Sequence, residues 1–168
     1  MSKKISAVVM AIILTLTSAN FSYARTLNDD ELGLISQTCG SIKLQLRNIQ
    51  KIDAKNRALL GSYYETISTN LMLNLNLRLV KNNMASAELS ELQTNFSSER
   101  DYFKEKYTEY QRELDALVLI DCRQKPQEFY TQLEKVRAKR EKVDNSVKRL
   151  KDMLIEHRTA VLNLREGL

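Results

Sequence analysis

Few side chains in this sequence of 168 residues can do chemistry. The strongest candidates are two cysteines, Cys39 and Cys122, and one histidine, His157. An even pair of thiols in a chain that reaches an oxidising compartment favours a disulfide, with two buried free thiols as the alternative. Closing so long a loop removes roughly 4–5 kcal/mol of chain entropy from the unfolded state in the loop-closure account. His157 has no assignable serine or cysteine nucleophile to activate. One histidine gives no two-histidine metal spacing, and no glycine-rich phosphate loop is present. Asp29, Asp30 and Glu31 are explained as helix N-terminal charge. No catalytic, cofactor-binding or metal-ligating residue is therefore expected, and no enzyme.

His157 has a second reading, set by its neighbours. From Phe129 to Leu164 apolar residues recur at the 4-3 spacing of a coiled-coil seam: Phe129, Leu133, Val136, Val143, Val147, Leu150, Leu154, Val161, Leu164. Arg140 and His157 are the polar positions in that track. A stripe at this spacing stays on one side of a supercoiled helix. Arg140 is read as lying along the seam with its charge lifted to water, or as a register-setting layer. His157 is read as a seam histidine that tunes register or pH response. The basic cluster around Arg137 and Lys142 is interleaved with Glu134, Glu141 and Asp144, so it reads as a solvated face of mixed sign.

The elements that position these residues are helical throughout. Tryptophan is absent, Pro126 is the lone proline, and there are four glycines. Asn28 with Glu31 makes an N-cap and capping-box signal. The first seam follows as Leu32, Ile35, Cys39, Ile42, Leu46, Ile49, which turns Cys39 inward. Gly33 and Gly40 are expected to let another helix approach. Continuing the register lands on Asp53 and Asn56, poor core residues. Either Asp53 caps a new helix there or the seam changes phase. A second helix carries Leu60, Tyr63, Tyr64, Ile67 and Leu71 and stops at Asn82-Asn83. Ser86 caps a third, with the seam Leu89, Leu92, Phe96, Glu99, Phe103, Tyr107, Tyr110, Leu114, Leu117. Pro126 opens a fourth.

Short connections at 83–86 and 122–125 favour antiparallel neighbours. Folding about them brings Tyr63 and Ile67 level with Phe103 and Tyr107, in an aromatic layer, and Leu133 level with Leu114. An unbroken first helix would set Leu46, not Cys39, beside Cys122. A Cys39–Cys122 bridge therefore predicts a break or bend, with Asp53 as its site. From Leu73 to Leu79 apolar and polar residues alternate, a strand signal. The scarcity of β-branched residues and the helical flanks favour helix. As a helix it is apolar on two faces, Leu71–Leu75–Leu79 and Leu73–Leu77–Val80. The favoured reading packs both inside the bundle; the functional one offers Leu73, Leu77 and Val80 to a partner or a second copy.

At the N-terminus, Lys3 and Lys4, the apolar run 7–16 and Ser22-Tyr23-Ala24 read as a secretion signal cleaved after residue 24. The apolar run is too short to span a bilayer, and no transmembrane segment is expected in residues 25–168. A formal charge of +5 with both signs interleaved argues against a nucleic-acid partner.

The plan resembles two groups of bacterial envelope chaperones. It is similar to the Skp/OmpH group in its signal segment, small basic chain and long helical hairpins. That group adds a trimerising β-strand body, for which only 71–79 is available here. It is also similar to the Spy/CpxP group of helical periplasmic chaperones, without their Leu-Thr-x-x-Gln motif. The string from Asp121 to Tyr130, read as turn architecture, resembles exported helical proteins of candidate-phylum bacteria. The expectation is one all-α domain over 25–168: an elongated antiparallel bundle of three to four long helices with coiled-coil packing. Its expected role is exported, non-enzymatic interaction with a protein partner or itself, with peripheral envelope association open. An ATP-independent periplasmic holdase is the alternative.

Overall fold

Asn28 begins the first helix as its spacing to Glu31 requires. Its side-chain oxygen accepts from the Glu31 N–H at 2.8 Å, and the Glu31 carboxylate accepts from the Asn28 N–H at 3.0 Å. In the computed structural model, which describes residues 26–166, helix α1 then runs Asp29–Thr66. A π-helical segment, Ile67–Met72, joins it without interruption to α2, Leu73–Lys81. Helices α3, Ala87–Leu119, and α4, Pro126–Glu166, complete the fold, with no strand among the described residues. The 41 residues of α4 span about 60 Å at 1.5 Å per residue. The expected all-α antiparallel bundle is what is found, with α1, the π segment and α2 acting as one long helix. The expected signal segment, residues 1–24, lies outside the described residues.

The stops follow from local chemistry. Asn83 takes the left-handed conformation, φ 57°, just past the end of α2. The Met84 N–H then reaches the Leu79 carbonyl at 2.8 Å and the Asn83 N–H the Val80 carbonyl at 3.1 Å. This is a Schellman stop, completed by packing of Met84 near Leu79. Ser86 Oγ accepts from the Leu89 N–H and caps α3. Asp121 shapes the second turn, accepting the Arg123 N–H on its side chain and the Lys125 N–H on its carbonyl. Pro126 begins α4, where a missing N–H costs nothing.

Three expectations are corrected. Helix α1 passes through Asp53 unbroken. The offset that places Cys39 beside Cys122 arises elsewhere. The hairpin already sets a short register, pairing Ser68 with Ser97 and Asn76 with Leu89. Past α3 the backbone is extended at Ile120. An extended residue advances about 3.3 Å against 1.5 Å in a helix, which carries Cys122 further along the bundle. Second, Gly33 and Gly40 admit no close helix. A Cβ at Gly33 meets nothing within 4 Å, and one at Gly40 meets only the Arg123 guanidinium at 3.9 Å. Third, the aromatic layer uses Tyr64 in place of Tyr63. The Tyr64 ring meets Phe103 edge-on at 5.4 Å and Phe96 at 6.2 Å, while Tyr63 faces outward.

The main core is continuous from the disulfide end to the middle of the bundle. Phe96, Phe103, Tyr110, Leu114, Leu117, Phe129 and Leu150 are fully buried in it. Gln132 donates to the Glu113 carbonyl at 3.1 Å, which sets Leu133 near Leu114 as expected. A second, smaller core closes the hairpin end with Leu79, Leu89 and Ala160.

Candidate functional site

Cys39 and Cys122 form the disulfide, with Cα atoms 5.6 Å apart and both residues buried. It ties α1 to the turn before α4, as the sequence implies. Beside it, Ser36 Oγ donates to the Arg123 carbonyl at 3.3 Å.

The polar seam positions separate into two places. Arg140 is exposed and borders a recess of about 190 Å³ with Asp53, Tyr107, Tyr110 and Asp144. Asp53 is buried, and the Tyr110 hydroxyl donates to its carboxylate at 2.6 Å. The Tyr107 hydroxyl donates to the Asp53 carbonyl at 2.7 Å. Burial and the facing Asp53 charge push the Tyr107 hydroxyl up to about 12. Burial and the hydrogen bond to Asp53 also raise Tyr110. Burial raises the Asp144 carboxyl, against the pull of Arg140. With its tyrosines protonated at neutral pH, this cluster is a hydrogen-bonded polar layer of the seam. Among the described residues no group of acids, histidines and cysteines is placed to hold a metal.

His157 lies about 25 Å further along α4 by helical rise. It lines a larger groove, about 630 Å³, between the π segment with α2 on one side and the last third of α4 on the other. Ile67, Leu71, Leu75, Leu154, Val161 and Leu162 make its apolar walls, and Arg78 and Arg158 stand at its edges. His157 Nε2 is buried with no hydrogen-bond partner. Burial holds the imidazole below its usual pKa, so it is neutral at pH 7.

Beside the groove, Leu73, Leu77 and Val80 are 39%, 58% and 58% exposed. The expectation that both apolar faces of 71–80 pack inside the bundle is therefore overturned. The π segment decides which face turns inward, and no further helix covers the other. Ile67 and Met72 are both buried and five residues apart, so the inward stripe skips Leu71 and continues through Leu75, Asn76 and Leu79. Asn76 donates to the Leu89 carbonyl at 3.2 Å. An α-helical period from Ile67 predicts Leu71; a wide π turn delivers Met72.

The mixed-sign surface reads as expected. Lys139 bonds Glu109, which also takes Lys106, and these two bonds lower the Glu109 carboxyl to about 2. Arg149 bonds the seam acid Glu99 at 2.8 Å. No described helix is long and apolar enough to cross a membrane.

Comparison of the chain with protein-family models, with curated proteins and with solved structures finds no match. Fold and site define a structural class: a disulfide-tied, antiparallel, all-α bundle with an open apolar groove at its hairpin end.

Proposed function

We propose that this chain is an exported, non-enzymatic interaction or structural protein that engages an amphipathic helix at its hairpin end. The observation that carries the reading is the apolar groove together with the exposed Leu73–Leu77–Val80 face beside it. Helix-in-groove recognition needs apolar anchors at helical spacing and charges at the rim, and Arg78 and Arg158 supply the rim. The buried disulfide suits an oxidising compartment, which supports export. The alternative, a holdase without nucleotide, is favoured by the groove standing uncovered in a single chain, where unfolded clients would find it.

Light scattering on the oxidised protein across a concentration series tests this. A mass that rises with concentration, and is lost in Leu73→Ser/Leu77→Ser, assigns the face to a second copy. A monomer that binds an amphipathic helical peptide or a hydrophobic dye in the groove assigns it to a partner or client. A monomer that binds neither refutes both readings.

A further inference from the structure

We propose that the outward face of α1 docks on an anionic lipid surface. Lys43, Arg47, Lys51 and Lys55 step by four along the helix and so form one ridge. Among the described residues none of the four makes an ion pair or hydrogen bond. Between Leu32 and Tyr64 the helix has a single acid, Asp53, which is buried and held by Tyr110. From α3, Asp115 meets α1 through a hydrogen bond accepted from Gln50. Elsewhere cations pair across helices, as Lys104 with Glu65, Lys139 with Glu109 and Arg149 with Glu99, or stand among acids of their own helix, as Lys142 and Lys148 do with Glu141, Asp144 and Asp152. A cationic ridge with no exposed acid between Leu32 and Tyr64 calls for an anionic partner.

Apolar side chains say which kind. Leu44, Ile52 and Leu59 are all more than half exposed on the same outward face, Ile52 and Leu59 seven residues apart and hence on one stripe. A cationic ridge beside an apolar stripe lets the stripe enter the headgroup boundary while ammonium groups meet phosphates. A second copy meeting this face would set cation against cation. An acidic protein would need a shape to grip, and the two recesses described above lie on other faces. The lipid surface is contacted from outside, since no described helix is apolar enough to cross it. These residues are separate from the groove, so the inference stands independently of it.

Sedimentation of the oxidised protein with vesicles tests the proposal. Phosphatidylglycerol-containing vesicles should carry it down at low salt and release it at high salt, while phosphatidylcholine alone leaves it in solution. Surface cations contribute about 1 kcal/mol each, so Lys51→Gln/Lys55→Gln should lower partitioning about 25-fold, fivefold per charge. Ile52→Gln/Leu59→Gln should lower it as well. Lys142→Gln/Lys148→Gln, an equal charge loss on α4, should leave it nearly unchanged. Glutamine suits exposed helix positions, and circular dichroism confirms that each variant folds. The proposal is overturned by absent binding to the anionic vesicles, by equal binding to the neutral ones, or by equal loss in the α4 variant. Capture by polyglutamate but not by vesicles would assign the face to an acidic protein and overturn the lipid.

Discussion

The disulfide end and the hairpin end of this bundle are built on the same apolar spacing, yet they differ in closure. At the disulfide end α1, α3 and α4 converge, and Leu114, Leu117, Cys122 and Phe129 are sealed from water. Polar groups that enter that half of the core are matched, as Asp53 is by Tyr110. At the hairpin end α2 packs on α3 and stands away from α4, leaving the groove. Among the described residues, the buried side-chain atoms without a hydrogen-bond partner, Asn76 Oδ1 and His157 Nε2, both lie there. Among the described residues, nine of the twelve exposed large apolar side chains belong to α1, the π segment and α2, so the long first helix carries most of the uncovered apolar surface there. Spacing sets which residues share a stripe; the number of helices present to cover the stripe sets whether it is buried.

The strongest way to break the comparison is to cut the closed end. Cys39→Ala/Cys122→Ala should cost about 4–5 kcal/mol by loop closure, read as a lowered urea midpoint against the oxidised protein. A loss below about 1 kcal/mol would show that helix packing alone closes this end. Phe103→Ala comes next. Its ring is fully buried between Tyr64 and Tyr107, and its removal should cost about 3–5 kcal/mol. If instead the bundle tolerated it as a surface change, the aromatic layer would not be the keystone of the closed half. Tyr110→Phe removes the donor that holds Asp53 and leaves a buried carboxylate short of a partner. It should cost about 1–3 kcal/mol, and Asp53→Asn in the same background should recover part of it in a double-mutant cycle.

Most of this contrast is legible in residues only at the closed end. Phe103, Tyr107, Tyr110, Leu114 and Leu117 keep the 3-4 rhythm of a helix packed on one side, and they are buried as the rhythm predicts. Asp53 misleads, because its acceptability depends on a tyrosine 57 positions away that no periodicity reports. Ser68 and Ser146 are buried for the same kind of reason. Ser68 bonds Ser97 at 2.7 Å, and Ser146 bonds Glu99 across helices. The π turn is silent in the sequence of residues 67–72, and it rotates everything after it, which is why α-helical spacing predicts Leu71 inside and Met72 is found there. The groove is equally hidden, since spacing alone does not say that α2 and α4 part.

His157 sharpens the comparison through pH. Burial depresses its pKa below the usual 6.5, so the unfolded chain takes up a proton at a higher pH than the folded one. Stability is then full above about pH 6.5 and falls as the pH drops through the window beneath it. Arg78 from α2 and Arg158 from α4 face the same groove, and neither offers the imidazolium a counter-charge. Melting temperature should decline as the pH falls below about 6.5, and His157→Gln should flatten that decline. An unchanged slope in the variant would move the titration to another group.

The smallest expected effect discriminates most between the two ends. Leu77 sits at an apolar position of α2 as regular as Leu117 in α3, but it is 58% exposed where Leu117 is wholly buried. Leu117→Ala should cost about 2–5 kcal/mol. Leu77→Ser should stay within about 0.5 kcal/mol for the isolated chain, because little area leaves water at that side chain on folding. Urea unfolding at dilute concentration measures both. If Leu77→Ser proves as costly as Leu117→Ala, then α2 is covered in solution by something the single chain does not supply. Repeating the comparison at rising protein concentration says whether that cover is a second copy, since only then does the cost of Leu77→Ser grow with concentration.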